Sequence, residues 1–221
     1  MGGRSWQRAR SDDQVEVRIR SLLDAAAALF RRGPYAEVTL QAIAREAGFT
    51  RSNVYRYFTT KEEIFLALYM GDIDAWLADL DSTMPGPLSR EEFTERWLEV
   101  TFRQERLLAL SHLLAPTLEA NVSAEAYRDT KRRFAEVLVR VGVIVARAQP
   151  GLDPEDIQRL LTVHQALVAG AWPMCRRTDE QQRILEDMGL SDMWPDFETT
   201  IRDAVDAYLR GVMVRKGRIG E

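Results

Sequence analysis

One cysteine, Cys175, stands in a chain of 221 residues. A single thiol cannot build an internal disulfide framework, and its isolation fits a reducing compartment. Histidine is nearly as scarce, with two copies. A zinc or iron–sulfur centre needs more clustered Cys and His than that, so no metal and no cofactor is expected. Long apolar runs are lacking too. The longest, residues 166–175, falls well short of the roughly 20 residues a membrane span takes. Between Trp6 and Arg20 there are several arginines and no apolar secretory core. These absences point to a soluble, cytoplasmic chain with no membrane partner. The chain also has no Gly-rich phosphate loop, no nucleophile–base set and no metal cluster, so it does not read as an enzyme.

Strand-like alternation of useful length, internal repeats and low-complexity tracts are missing as well. What remains is helical periodicity from end to end, broken by caps and turns. The first helix is expected over residues 15–31, with Leu22, Leu23, Ala26, Leu29 and Phe30 on one face and Gly33-Pro34 as its stop. Short helices follow over residues 40–47 and 51–58, and a capping box, Thr60-Lys61-Glu62-Glu63, opens a long helix over 61–81. Met84-Pro85-Gly86-Pro87 is the clearest break in the chain. Beyond it, caps at Ser89, Ser123, Asp153, Thr178 and Asp196 start further helices. The helix of residues 106–118 is expected to be perturbed by Pro116. The helix opening at 124 should bury a stripe of Tyr127, Phe134, Leu138, Val141 and Val145. The polar tails, residues 1–12 and 215–221, read as loose. The fold class expected is all-α, with a head of residues 1–60, a connecting helix and linker over 61–88, and a helical bundle over 89–221.

Charge is unevenly spread. Residues 1–61 hold 11 Lys/Arg against 6 Asp/Glu, and the rest holds 19 against 28. A basic head on an acidic body suits a polyanion partner, although plain surface variation explains it equally well without a motif.

The motif lies in residues 39–61. Two short helices about a tight glycine turn have the helix-turn-helix shape, with Ile43 and Ala44 bracing the first and Gly48 making the turn. The second helix is the one expected in the major groove. Its outward residues, Arg51, Ser52, Asn53 and Arg56, are types that read base edges. Val54 and Phe58 point inward as anchors. Tyr55 joins the DNA-facing set although part of its ring should pack inward. Thr39, Thr50, Tyr57 and Lys61 are placed to meet phosphates. Short helices with glycine turns also occur in many bundles, and Arg51 and Arg56 are at home on any solvated surface.

The full string from Val38 to Ile64 is more specific. Strut helix, turn glycine, the Tyr55-Arg56-Tyr57-Phe58 cluster and the Lys61-Glu62-Glu63 start closely resemble the DNA-binding domain of the tetracycline-repressor (TetR) family, and Ala25 to Phe30 followed by Gly33 fits the preceding helix. The resemblance covers residues 15–65; beyond about residue 80 only helix number and length match. It implies that Thr39 and Lys61 bond phosphates and that Arg51, Ser52 and Asn53 face bases. Arg56 stands where the family often has tyrosine and Tyr57 where histidine is common, which leaves the operator sequence open. The resemblance also implies a homodimer on a near-palindromic double-stranded DNA operator, released by a small-molecule effector. The alternative is a C-terminal domain that senses a protein partner or nothing. Arg4, Arg8, Arg10, Arg18 and Arg20 add either a minor-groove arm or general phosphate attraction.

By the same resemblance the dimer forms through the last two long helices, residues 154–175 and 196–214. Leu161, His164, Val168, Ile201, Val205 and Tyr208 are the interface candidates. An effector pocket among the helices from Ser89 onward would draw on Trp97, Phe102, His112, Tyr127, Phe134, Trp172 and Met174. Aromatics and methionines at helical spacing are core more often than pocket.

Overall fold

The computed structural model describes residues 3–191 and 194–217, and for residues 3–13 the backbone alone. Its described residues hold ten α-helices and no strand. The chain is all-α and splits into two compact units, Met1–Leu68 with Ala115–Arg128, and Tyr69–Leu114 with Asp129–Glu221.

The first unit contains α1 (Gly3–Arg32), α2 (Leu40–Glu46), α3 (Arg51–Val54) and the opening turns of α4 (Lys61–Thr83). Its core joins Leu22, Ala25 and Ala26 of α1 to Ile43, Ala44, Val54, Ile64 and Phe65. The Phe65 ring meets Phe30 edge-on at 5.5 Å and Tyr35 at 4.9 Å. One expectation changes here. Residues 3–12 are helix, not a loose tail, and α1 is thirty residues long. The segment has no proline and includes the helix formers Arg4, Gln7, Arg8, Ala9 and Arg10, so a helix nucleated on the apolar face of Leu22 propagates backward at little cost.

The second unit holds the rest of α4 with α5 (Arg90–Phe102), α6 (Glu105–Ser111), most of α7 (Ala124–Ala148), α8 (Pro154–Cys175), α9 (Asp179–Asp187) and α10 (Phe197–Arg215). The expected caps form. Ser89 Oγ accepts from the Glu92 N–H while Glu92 accepts from the Ser89 N–H, and Asp153 and Thr178 make the same reciprocal boxes. After α6 the backbone widens into a π-turn over Leu114–Leu118. Pro116 has no N–H to give an α-helical partner, so the regular register cannot pass through it.

At the centre Trp97 is fully buried, edge-on to Trp76 at 5.1 Å and to His164 at 5.3 Å. Both indole N–H groups are satisfied. Trp76 donates to Thr101 Oγ1 at 3.1 Å and Trp97 to His164 Nδ1 at 3.3 Å. Asp72 of α4 grips Arg106 of α6 through two hydrogen bonds of 2.8 and 2.5 Å.

The α7 stripe is rotated from the one expected. Thr130, Val137, Val141, Ile144, Val145 and Ala148 are buried, whereas Tyr127 and Leu138 are 42% and 50% exposed. Adjacent valines and leucines offer two overlapping periodic faces, and packing selects the one centred on Val137 and Val141.

Candidate nucleic-acid interface

Thr39 opens α2 by accepting the Ala42 N–H at 3.1 Å. The helix ends in a Schellman turn: the Phe49 N–H reaches Ala44 O at 2.8 Å and the Gly48 N–H reaches Arg45 O at 3.2 Å. This geometry needs a left-handed residue, and Gly48 has φ +73°. The chain therefore turns at once into α3.

The second helix is shorter than its pattern suggests. It is α-helical from Arg51 to Val54, and residues 55–57 continue as a turn. The Tyr57 N–H bonds Val54 O at 2.9 Å, an i→i−3 bond that tightens the exit. Val54 is the anchor, at 1% exposure, and Phe58 is half-buried beside it. Arg51, Ser52, Asn53, Tyr55 and Arg56 are all exposed. The base-reading types thus share the solvent side of one anchored turn and a half.

Their internal bonds show how the free surface is held. Arg51 donates to Tyr55 Oη from Nε at 3.2 Å and Nη2 at 2.9 Å, with its guanidinium 5.4 Å from the ring centre. Thr50 Oγ1 lies 3.1 Å from Ser52 Oγ. Arg18, on α1, donates to Tyr57 Oη at 3.3 Å. Among the described residues no carboxylate pairs with Arg18, Arg51 or Arg56, so this face is cationic. Arg18 therefore belongs to the helix-turn-helix surface and not to a loose arm. Arg20 is tied to Glu16 at 3.0 Å. The side chains of Arg4, Arg8 and Arg10 lie outside the described residues.

Lys61 is half-buried. Its ammonium donates to Tyr35 O at 3.0 Å and Val38 O at 2.8 Å and lies 4.1 Å over the Tyr35 ring. It locks the start of α4 to the loop before α2 and keeps one of its three N–H groups uncommitted. Tyr35 completes this joint by donating to Glu62 at 2.7 Å. Burial, then the Glu62 charge, pushes the Tyr35 phenol well above its ordinary range, so it stays protonated. Tyr35 was not legible as part of the site because its role is to position Lys61.

The C-terminal candidates scatter. Trp97 is core. Phe134 is half-buried, 6.1 Å from Tyr69. His112 is half-buried, its Nδ1 has no hydrogen-bond partner among the described residues, and burial holds its pKa below the ordinary imidazole value. Tyr127 and Met174 lie on the surface, Met174 at 64% exposure. Phe102 and Trp172 come together in a cleft of about 390 Å³, which Trp194 and Phe197 also line. Trp194 and Phe197 were not among the pocket candidates, because Trp194-Pro195-Asp196-Phe197 reads as the start of the last helix.

Of the dimer candidates, His164, Val168, Ile201 and Val205 face their own protomer's core and are buried within the single chain. That corrects their assignment to a partner surface: a wide apolar stripe was shared between two faces, and these four positions lie on the face that packs inward. Leu161 and Tyr208 remain half-exposed, and Ala166 and Gly170 of α8 and Ala207 of α10 are exposed.

A model of the bacterial regulatory proteins of the tetR family matches residues 22–68, and one of the tetracyclin repressor-like C-terminal domain matches residues 70–216. This chain belongs to the TetR family. It is similar to the HTH-type transcriptional regulator RutR of Escherichia coli, at 24% identity over 199 residues, 89% of this chain and 82% of that one. It also resembles the uncharacterised HTH-type regulator YfiR of Bacillus subtilis, at 28% identity over 66% of this chain and 71% of that one. Among solved structures, the fatty acid degradation regulator FadR of Bacillus halodurans superposes with a TM-score of 0.55 at 16% identity, covering 88% of this chain and 95% of that one. At such identity the likeness speaks for the fold alone.

The TetR family is one of transcriptional regulators with a helix-turn-helix DNA-binding domain. Among the described residues no group of acidic, His and Cys side chains is placed to hold a metal ion. No described helix is long and apolar enough to cross a membrane.

Proposed function

We propose that this TetR-family chain is a repressor that grips a near-palindromic DNA operator as a homodimer and releases it when a small molecule occupies the C-terminal unit. The observation that carries the reading is the cationic, solvent-facing set of Arg51, Ser52, Asn53 and Arg56, anchored from behind by Val54. Arg and Asn are the side chains that bond guanine and adenine edges in two places at once. Thr39, Thr50 and Tyr57 border that set and suit phosphates, and Lys61 reaches a phosphate with its remaining N–H. Residues 1–60 act as the head, 61–88 as the connection, and 89–221 as the sensing and pairing part. Leu161 and Tyr208, with exposed Ala166, Gly170 and Ala207, form the surface proposed to meet the second copy, since small residues let helices approach closely.

In a dimer two α3 helices must stand about 34–36 Å apart to enter successive major grooves. An effector that favours another spacing by ~1–3 kcal/mol lowers operator affinity 5–150-fold. Such a shift enters through α4, which carries residues of both units. The Asp72–Arg106 pair ties it to α6.

The test is selection of bound sequences from random duplexes, followed by a compound screen for release. Recovery of an inverted repeat with half-sites one turn apart is expected. Binding to asymmetric single half-sites as tightly as to the repeat would contradict the dimer. A second reading, a sensor of protein partners, draws on the exposed Ile184, Met188 and Trp194, and predicts that no small molecule releases the duplex.

A further inference from the structure

The cleft between the C-terminal ends of α5 and α8 and the start of α10 has a chemistry of its own. Its floor is aromatic. Trp172 meets Phe197 edge-on at 5.1 Å, and Phe102 meets Phe197 at 5.8 Å. Two guanidiniums lie against rings of the lining, one on this floor and one on Trp194. That of Arg176 lies 4.1 Å above the Trp172 ring, and that of Arg177 lies 5.8 Å from the Trp194 ring. A volume of about 390 Å³ lies within the ~300–1,000 Å³ range of small-molecule sites.

Three acids also border the cleft, and each has a structural reason to be there. Asp196 caps α10 by accepting the Thr199 N–H at 2.8 Å, and that bonding holds its carboxyl below the usual range. Glu198 and Glu105 sit in the first turns of α10 and α6, where the helix start stabilises negative charge. The guanidiniums sit at the C-terminal end of α8, Arg176 as its C-cap, where the helix end favours a cation, but no carboxylate among the described residues is bonded to either. Arg177 donates to Gln182 Oε1, a neutral acceptor, at 3.1 Å. Cys175 borders the cleft too. Burial raises its pKa, so at neutral pH the thiol is protonated and adds neither charge nor a nucleophile.

We propose that this cleft takes a planar aromatic anion, its ring among Phe102, Trp172 and Phe197 and its carboxylate on Arg176 and Arg177. Planar guanidinium forks match a carboxylate in geometry and charge and stack on aromatic faces. The inference rests on the reading that the C-terminal unit holds the effector, and it names the effector's class.

The probes are naphthoate, neutral naphthamide and a naphthylmethyl-trimethylammonium cation, titrated calorimetrically into the full chain at neutral pH. Naphthoate should saturate and bind about tenfold or more tighter than the amide, and Arg176→Gln and Arg177→Gln should each erase most of that difference, weakening naphthoate far more than the amide. Arg176 is exposed and Arg177 half-buried, and an unchanged melting curve verifies that the variants fold. Preference for the cation, absence of saturation by naphthoate, or unchanged naphthoate affinity in both variants overturns the site. Release of a selected duplex is measured separately. Arginine-dependent binding without release keeps the site and overturns its role as the effector site. Release by naphthoate that persists in both variants overturns the site itself.

Discussion

Acid should unfold this protein sooner than its carboxylates alone require, and the cause is His164. The imidazole lies in the core of the second unit, and Trp97 donates its indole N–H to Nδ1 at 3.3 Å. The proton of the neutral ring is therefore on Nε2. A second proton would turn Nδ1 from acceptor to donor, set it against the indole N–H and bury a charge among Trp76 and Trp97. Burial accordingly lowers the His164 pKa from its ordinary 6.5 to about 4. The unfolded chain takes up this proton as pH falls below the ordinary value, and the folded chain does not until about pH 4. Stability is thus whole above that window and is lost on descending through it. At about 1.4 kcal/mol per pH unit, the loss amounts to roughly 3 kcal/mol. Urea unfolding at fixed protein concentration between pH 7.5 and 4 measures it. His164→Gln keeps a carbonyl for the Trp97 N–H and cannot titrate, so its stability curve should be flatter than wild type by about that amount. His112 and the carboxylates contribute to both curves and cancel. Parallel curves would refute the reasoning, as would an imidazole titration by NMR in which both histidines have ordinary pKa values.

Two further perturbations follow from the geometry. Gly48→Ala places a side chain at φ +73° where no atom lies within 4 Å. The cost is backbone strain alone, about 1–2 kcal/mol, and thermal denaturation should find Gly48→Asn milder. Asp72→Asn breaks the pair with Arg106. The loss should be about 2 kcal/mol, short of the 3–5 of a fully buried pair, because the Arg106 side chain keeps 35% of its exposure. Replacing both residues with Leu and Met should restore most of it in a double-mutant cycle.

The head was legible because its signals are local. A threonine cap, a turn glycine and an inward Val54 dictate the helix-turn-helix without reference to distant residues. The length of α3 was not legible, since no local signal marks the switch from i→i−4 to i→i−3 bonding at Arg56 and Tyr57. Arg18 was grouped with an arm although it lies within the helix expected over residues 15–31, because nothing near it in sequence announces that its guanidinium meets Tyr57. In the C-terminal unit periodicity found the helices but not which of two apolar faces is buried. Val137 displaced Leu138 by a rotation of one residue, and the same ambiguity sent His164, Val168, Ile201 and Val205 into the protomer core. The cleft escaped notice because its aromatic floor is assembled from the ends of three helices.

The central claim is that exposed side chains on an anchored α3 read base edges, and it is tested most directly by comparing Arg51→Ala and Asn53→Ala with wild type on a selected duplex and on single-base variants of it at fixed salt. Each substitution should flatten the preference at one base position by about 1–3 kcal/mol and leave the salt dependence nearly unchanged. Preferences identical to wild type at every position would contradict it.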